Sequence, residues 1–199
     1  MKEPRDCAVS YFLVRHLSRL QFFCTITNEV TVMIQIKPLQ KEHMASYLRA
    51  TEDEEIRYLT GTRTSFTLAQ IEAYYERISM DNTRRDYAIC LQDEVIGDFT
   101  LMNIDTENHS VGFRIALHDR TKFGKGYGSA AVREALRIAF EDLDLHRVQL
   151  EVYNHNPRAI AVYEKVGFVQ EGVLRDAICL DGVYHDEIIM SVLRTEYKK

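Results

Sequence analysis

The sequence contains no C-x-x-C pair, no H-E-x-x-H and no apolar run of the roughly 18 residues a membrane-crossing helix requires. Its four cysteines, Cys7, Cys24, Cys90 and Cys179, follow no regular spacing. A chain of 199 residues does not need disulfide staples. The cysteines are therefore expected as reduced thiols of a cytoplasmic protein, with Cys90 and Cys179 in strands. The seven histidines are scattered without ligand spacing, so no metal is expected. Repeats, low-complexity stretches and linkers are missing after residue 33, and the length suits one domain with one core. A formal net charge of −5 runs against direct nucleic-acid binding and is compatible with a cationic partner.

The first 32 residues lack a readable role. Tyr11–Val14 and Leu20–Cys24 are apolar, but Arg15, His16 and Arg19 interrupt them, and no small-residue cleavage site is evident. Met33 directly precedes Ile34–Leu39, which reads as the start of a domain. The expectation is a poorly ordered extension over residues 1–32 and a folded domain over 33–199.

Within the domain, Ile34–Lys37 is a short strand and Gln40–Thr51 a helix with Met44, Tyr47 and Leu48 on one face. An acidic run, Glu52–Glu55, reads as loop. Thr67 caps a helix reaching about Met80, with Leu68, Ile71, Tyr74, Tyr75 and Ile78 at helical spacing. Tyr87–Leu91 and Val95–Met102 form a hairpin, Asn103–His109 a turn and Ser110–Leu117 a third strand. A helix over Gly126–Asp142 carries the stripe Val132, Ala135, Leu136, Ala139 and Leu143. Val148–Val152 is a strand. Asn156-Pro157 opens a helix closed by Gly167, and Asp181-Gly182 joins the last two strands. The order β-α-α-β-β-β-α-β-α-β-β gives a mixed α/β fold around a mostly antiparallel sheet.

Two segments carry chemistry. Phe123–Gly128 reads F-G-K-G-Y-G between a strand and a long helix. Glycines let backbone approach a ligand closely, and the first free N–H groups of the helix point at an anion. The spacing is neither G-x-x-x-x-G-K-[ST] nor G-x-G-x-x-G. Taken alone, the segment is also compatible with a turn that holds no ligand. In the second segment Asn156 and Tyr163, seven residues apart, fall within about 20° on one helix face. Alone, Asn156 is equally a helix cap and Tyr163 a core tyrosine.

Together, the loop F-G-K-G-Y-G and the stretch N-H-N-P-R-A-I-A-V-Y-E-K-V-G-F from Asn154 to Phe168 resemble the GNAT superfamily of N-acetyltransferases. The likeness follows the element order over residues 34–197. E-G-V-L-R-D from Glu171 and D-G-V-Y-H-D from Asp181 resemble the branch containing ribosomal-protein N-terminal acetyltransferases and spermidine acetyltransferases. The family loop reads [QR]-x-x-G-x-[GA], and its first position is Phe123 here.

The resemblance implies a central sheet of about seven strands with helices on both faces, and acetyl-CoA as co-substrate. It implies that the strand carrying Ile115 and Leu117 pairs with the pantetheine arm. Phe123, Gly124, Lys125, Gly126, Tyr127, Gly128 and Ser129 would hold the pyrophosphate, with charge added by Lys122 or Lys125, and Asn156 would bond the pantetheine. A backbone N–H around Ile115 would polarise the thioester carbonyl. Tyr163 would stand near the sulfur, and a phenol with a pKa near 10 can protonate a departing thiolate. Glu54 and Glu55 are candidates for drawing in the amine or removing its proton; Asp98, Asn103, Tyr153 and His185 are further acceptor-side candidates. The expected acceptor is a primary amine, either a polyamine-like small molecule or a protein N-terminus. A coenzyme A- or polyamine-binding module without turnover is the alternative. Exposed edge strands near the C-terminal hairpin leave room for a homodimer.

Overall fold

The structure is a computed structural model and describes residues 34–198. The expected extension, with Cys7 and Cys24, lies outside the described residues. Seven strands form one sheet: β1 (Gln35–Pro38), β2 (Arg85–Leu91), β3 (Glu94–Asp105), β4 (Ser110–Leu117), β5 (Arg147–Tyr153), β6 (Val169–Leu180) and β7 (Val183–Leu193), in the order β1-β2-β3-β4-β5-β7-β6. Every neighbouring pair is antiparallel except β4 and β5. Cys90 and Cys179 are free thiols in β2 and β6.

The helices are α1 (Met44–Glu52), α2 (Glu54–Thr60), α3 (Leu68–Ile78), α4 (Tyr127–Arg137) and α5 (Pro157–Val166). The caps act as their residue types predict. Thr67 and Gln70 form a reciprocal capping box on α3. The Asn156 side chain accepts the Ala159 N–H at 3.1 Å, and Gly167 ends α5 at φ 110°. Asp181 and Gly182 both adopt positive φ, as a tight two-residue hairpin requires.

Three elements differ from the expectation. The acidic run is not a loop, because Asp53 Oδ1 accepts the Ile56 N–H at 3.0 Å and starts α2. Glu54 and Glu55 fill its first turn, where the positive end of the helix dipole favours carboxylates, and Gly61 closes it at φ 67°. The helix expected over Gly126–Asp142 changes at Ile138 into one π turn through Asp142, closed by the Leu143 N–H donating to Ile138 C=O. Arg137 bridges Glu134 and Asp142 across this widened turn. Finally, β3 runs beyond Met102 to Asp105 through an irregularity at Asn103, whose φ is 54°.

Alternation along the strands sorts the two faces. Phe99, Phe113, Val148, Leu150 and Val152 are buried in one core with Val132 and Leu136 of α4 and Tyr163 of α5. Asp98, Arg114, Glu151 and Tyr153 occupy the intervening positions and belong to the opposite face, where α1 and α2 lie. Ser46 of α1 reaches that face at Val95 and His118.

Candidate functional site

The sheet opens at its one parallel junction. Registered partners are Ser110 with Arg147, Val111 with Val148 and Gly112 with Gln149, and none follow. Beyond Gly112, β4 continues to Leu117 paired only with β3, and β5 continues to Tyr153 paired only with β7. Phe113–Leu117 therefore presents one strand edge with no protein partner. Backbone N–H and C=O groups there must find another, and an extended amide-bearing ligand can act as the added strand. A cavity of about 400 Å³ occupies this cleft.

The α4/α5 side of the cavity is lined by Phe113, Ile115 and Leu117 of β4, Gly128 and Val132 of α4, and Asn156 and Tyr163 of α5. Gly126 is the N-cap of α4 at φ 83° and provides no side-chain cap. The first helical bond is donated by Ala130 N–H to Gly126 C=O at 3.0 Å. The N–H groups of Tyr127, Gly128 and Ser129 thus have no helical acceptor. Gly124 turns at φ 70°, and a Cβ added at Gly124 or Gly128 would meet nothing within 4 Å. Internal packing does not require a bare glycine at Gly128; the space before the helix is open. The open edge, the glycine turn and the uncapped helix fit the arm and phosphates of coenzyme A. Lys125 flanks the turn, whereas Lys122 is drawn away to Glu94 at 2.6 Å.

Tyr163 is 7 % exposed and lines the cavity. Burial pushes its phenol above the ordinary tyrosine pKa, so it keeps its proton through the neutral range. Asn156 serves the cap through its side-chain oxygen and also lines the cavity.

The opposite side is lined by Tyr47 of α1, Thr60 of α2, Thr62, Asp98, Arg114, His118, Glu151, Tyr153 and Glu187. Asp98 and His118 are 3 % and 5 % exposed, with His118 Nε2 2.7 Å from Asp98 Oδ1. Ser46 Oγ lies 3.0 Å from His118 Nδ1 and donates to Val95 C=O at 2.8 Å. This Ser–His–Asp chain is not a nucleophilic triad: the serine proton is committed to a carbonyl, and Ser46 does not line the cavity. The chain holds Asp98 in place. Tyr47 sets its ring edge-on to His118, and burial together with the Asp98 charge pushes its phenol up to about 12.

Tyr153 and Glu187 are register partners on β5 and β7, and Glu151 lies two residues before Tyr153 on the same face. Neither Glu151 nor Glu187 has an ion-pair partner among the described residues. Burial and then the Glu151 charge raise the Glu187 pKa above its usual carboxylate value. α2 closes over this side. Gly61 sits so near Tyr153 that a Cβ would lie 2.7 Å from its ring, and His155 Nε2–H donates to Tyr58 C=O at 2.9 Å.

Of the acceptor-side candidates, Asp98 and Tyr153 line the cavity; Asn103 is exposed and His185 packs on Tyr58 and His155 instead. Glu54 and Glu55 also stay outside the lining. Glu55 faces Arg120 at 3.1 Å and Arg158 at 3.9 Å. The lining residues Arg114, His118, Glu151 and Glu187 carry no motif in the sequence. Only strand alternation at Arg114 and Glu151 signals which way they face. Among the described residues no three His, Cys, Asp or Glu side chains gather as a metal ion would require, and no helix is long and apolar enough to cross a membrane.

Comparison with known proteins agrees with this geometry. Residues 34–169 match the model of the acetyltransferase (GNAT) domain. The chain is 28% identical over 187 residues to the putative ribosomal N-acetyltransferase YdaF of Bacillus subtilis, covering 89% of this chain and 98% of that protein. It is 32% identical over 129 residues to the spermidine N(1)-acetyltransferase of Vibrio cholerae, covering 64% of this chain and 74% of the relative. The crystal structure of spermidine N-acetyltransferase from Vibrio cholerae in complex with CoA and spermine superposes with a TM-score of 0.77 at 26% identity, over 82% of this chain and 97% of that one.

Proposed function

We propose that this chain, which belongs to the GNAT acetyltransferase family, acetylates a primary amine on a small cationic molecule of the polyamine class. The donor is acetyl-CoA, which supplies an activated thioester carbonyl and a thiol leaving group. The acceptor reading is carried by one observation: the face of the cavity opposite the glycine turn holds three carboxylates, Asp98, Glu151 and Glu187, two of them without an ion-pair partner among the described residues.

The roles divide between the two faces. The open edge of Phe113–Leu117 orients the thioester, and a backbone N–H around Ile115 donates to its carbonyl oxygen. Ile115, Leu117, Phe123, Gly124, Lys125, Gly126, Tyr127, Gly128, Ser129 and Asn156 form the coenzyme A side. Tyr163, kept protonated by burial, gives its proton to the leaving sulfur. Glu151 and Glu187 attract the ammonium. Glu187, with the raised pKa, accepts the proton the amine must lose before it attacks. Glu54 and Glu55 stand outside the cavity lining and take no part in that proton transfer.

The test is a pair of substitutions. Glu151→Gln and Glu187→Gln together are expected to raise KM for spermidine about tenfold or more, leaving acetyl-CoA affinity unchanged. An unaltered spermidine KM would remove the carboxylate pair from the acceptor site. Thiol release with peptide N-termini and none with polyamines would assign the acceptor to the protein class instead.

A further inference from the structure

The two strands that part at the cleft carry opposite charges on their lips. Gly112 and Gln149 are the last registered pair of β4 and β5. Arg114 and Glu151 each stand two residues beyond that pair, so both belong to the α1 face. Both line the cavity, and no ion pair joins them. The acidic lip continues into β7, because Tyr153 is registered with Glu187. The cationic lip is β4, where Arg114 is registered with Thr100 of β3.

Arg114 differs from the other arginines near the cleft. Arg120 and Arg158 both reach Glu55, at 3.1 and 3.9 Å. Arg114 has no carboxylate within ion-pair distance among the described residues. The surrounding protein disfavours its charge, but Tyr47 of α1, the Asp98 carboxylate and Tyr74 of α3 more than offset this. Solvent still reaches the residue. Asp98 is buried against His118 and offers little to an incoming cation. A fixed cation on one lip repels a second cation there and leaves Glu151 and Glu187 as its seats.

We propose that Arg114 is a specificity-determining residue: its charge bars ammonium groups from the β4 lip, so the acceptor presents its further charges to Glu151 and Glu187. An acceptor with its ammonium groups on one side of the reacting nitrogen fits, and one with ammonium groups on both sides does not. The inference rests on the polyamine reading above.

Steady-state kinetics with spermidine over Arg114→Lys, Arg114→Gln and Arg114→Glu tests it. Removing the like charge is expected to lower KM about threefold in Arg114→Gln, and reversing it about tenfold or more in Arg114→Glu. Arg114→Lys, which keeps the charge, is expected nearest to wild type. A residue serving only the fold would raise KM or leave it, and would not order the variants by charge. Because Arg114 is exposed and glutamine can still donate to the phenols, the melting temperature of Arg114→Gln should match wild type. Titration with coenzyme A checks that the donor side of each variant is intact. A spermidine KM equal to or above wild type in the folded variants Arg114→Gln and Arg114→Glu overturns the proposal and leaves the polyamine reading standing. A wild-type protein that acetylates no polyamine overturns both.

Discussion

Along β4, Phe113, Ile115 and Leu117 look toward α4 and α5, while Arg114 and Ala116 between them look toward α1. The two halves of the cavity thus alternate on a single strand, and they are built differently. The α4/α5 half is mostly backbone: an open strand edge, a turn at Gly124 and Gly126 and the uncapped start of α4. The opposite half is mostly side chains, from α1, β3, β4, β5 and β7. A backbone site tolerates changes of side chain and suits a co-substrate common to many relatives. A side-chain site, assembled from distant segments, is where acceptor choice can vary.

If that contrast holds, the largest effect comes from filling the backbone site. Gly126→Asp places a Cβ and a negative charge at an N-cap with φ 83°, where the phosphates are proposed to lie. Titration should show coenzyme A binding reduced by more than about 100-fold, from both charge repulsion and lost N–H access. Normal binding by a folded variant would break the loop assignment.

Next in size is Tyr163, the proposed proton donor. Tyr163→Phe is expected to lower kcat about 100-fold or more, with coenzyme A affinity unchanged. A variant with full turnover would remove Tyr163 as the proton donor.

The smallest effect sharpens the comparison. Phe123→Ala removes the ring over which the Arg158 guanidinium carbon lies at 4.8 Å from the centroid, but no charge and no backbone donor. Coenzyme A should bind about threefold more weakly, the scale of an exposed cation–π contact. A loss as large as that of Gly126→Asp would mean that the side chain at position 123, and not the backbone, carries the binding.

The same contrast explains what the sequence disclosed. Local rules locate local features. Asn156-Pro157 and Gly167 bound α5, Asp181-Gly182 turns the last hairpin, and the alternating glycines mark the start of α4. The α4/α5 half of the cavity is made of such features. α2 escaped because seven residues starting in an acidic run show too little periodicity, and its Asp53 cap is visible only as a hydrogen bond to Ile56. In the opposite half only Asp98 and Tyr153 were legible, for a different reason. His118 meets Asp98 across 20 residues and Ser46 across 72, and Glu187 reaches the cavity through the β5–β7 register. No local pattern encodes such meetings. The acidic run nearby is a visible local pattern, although its Asp53 and Glu55 face Arg120.

The most direct measurement is thiol release from acetyl-CoA across an amine panel of spermidine, spermine, simple amino acids and peptides with free N-termini. A cavity face holding Asp98, Glu151 and Glu187 predicts kcat/KM for the polyamines about tenfold or more above every amine with a single positive charge. Equal rates for singly charged amines and polyamines, or release with peptides alone, would contradict it.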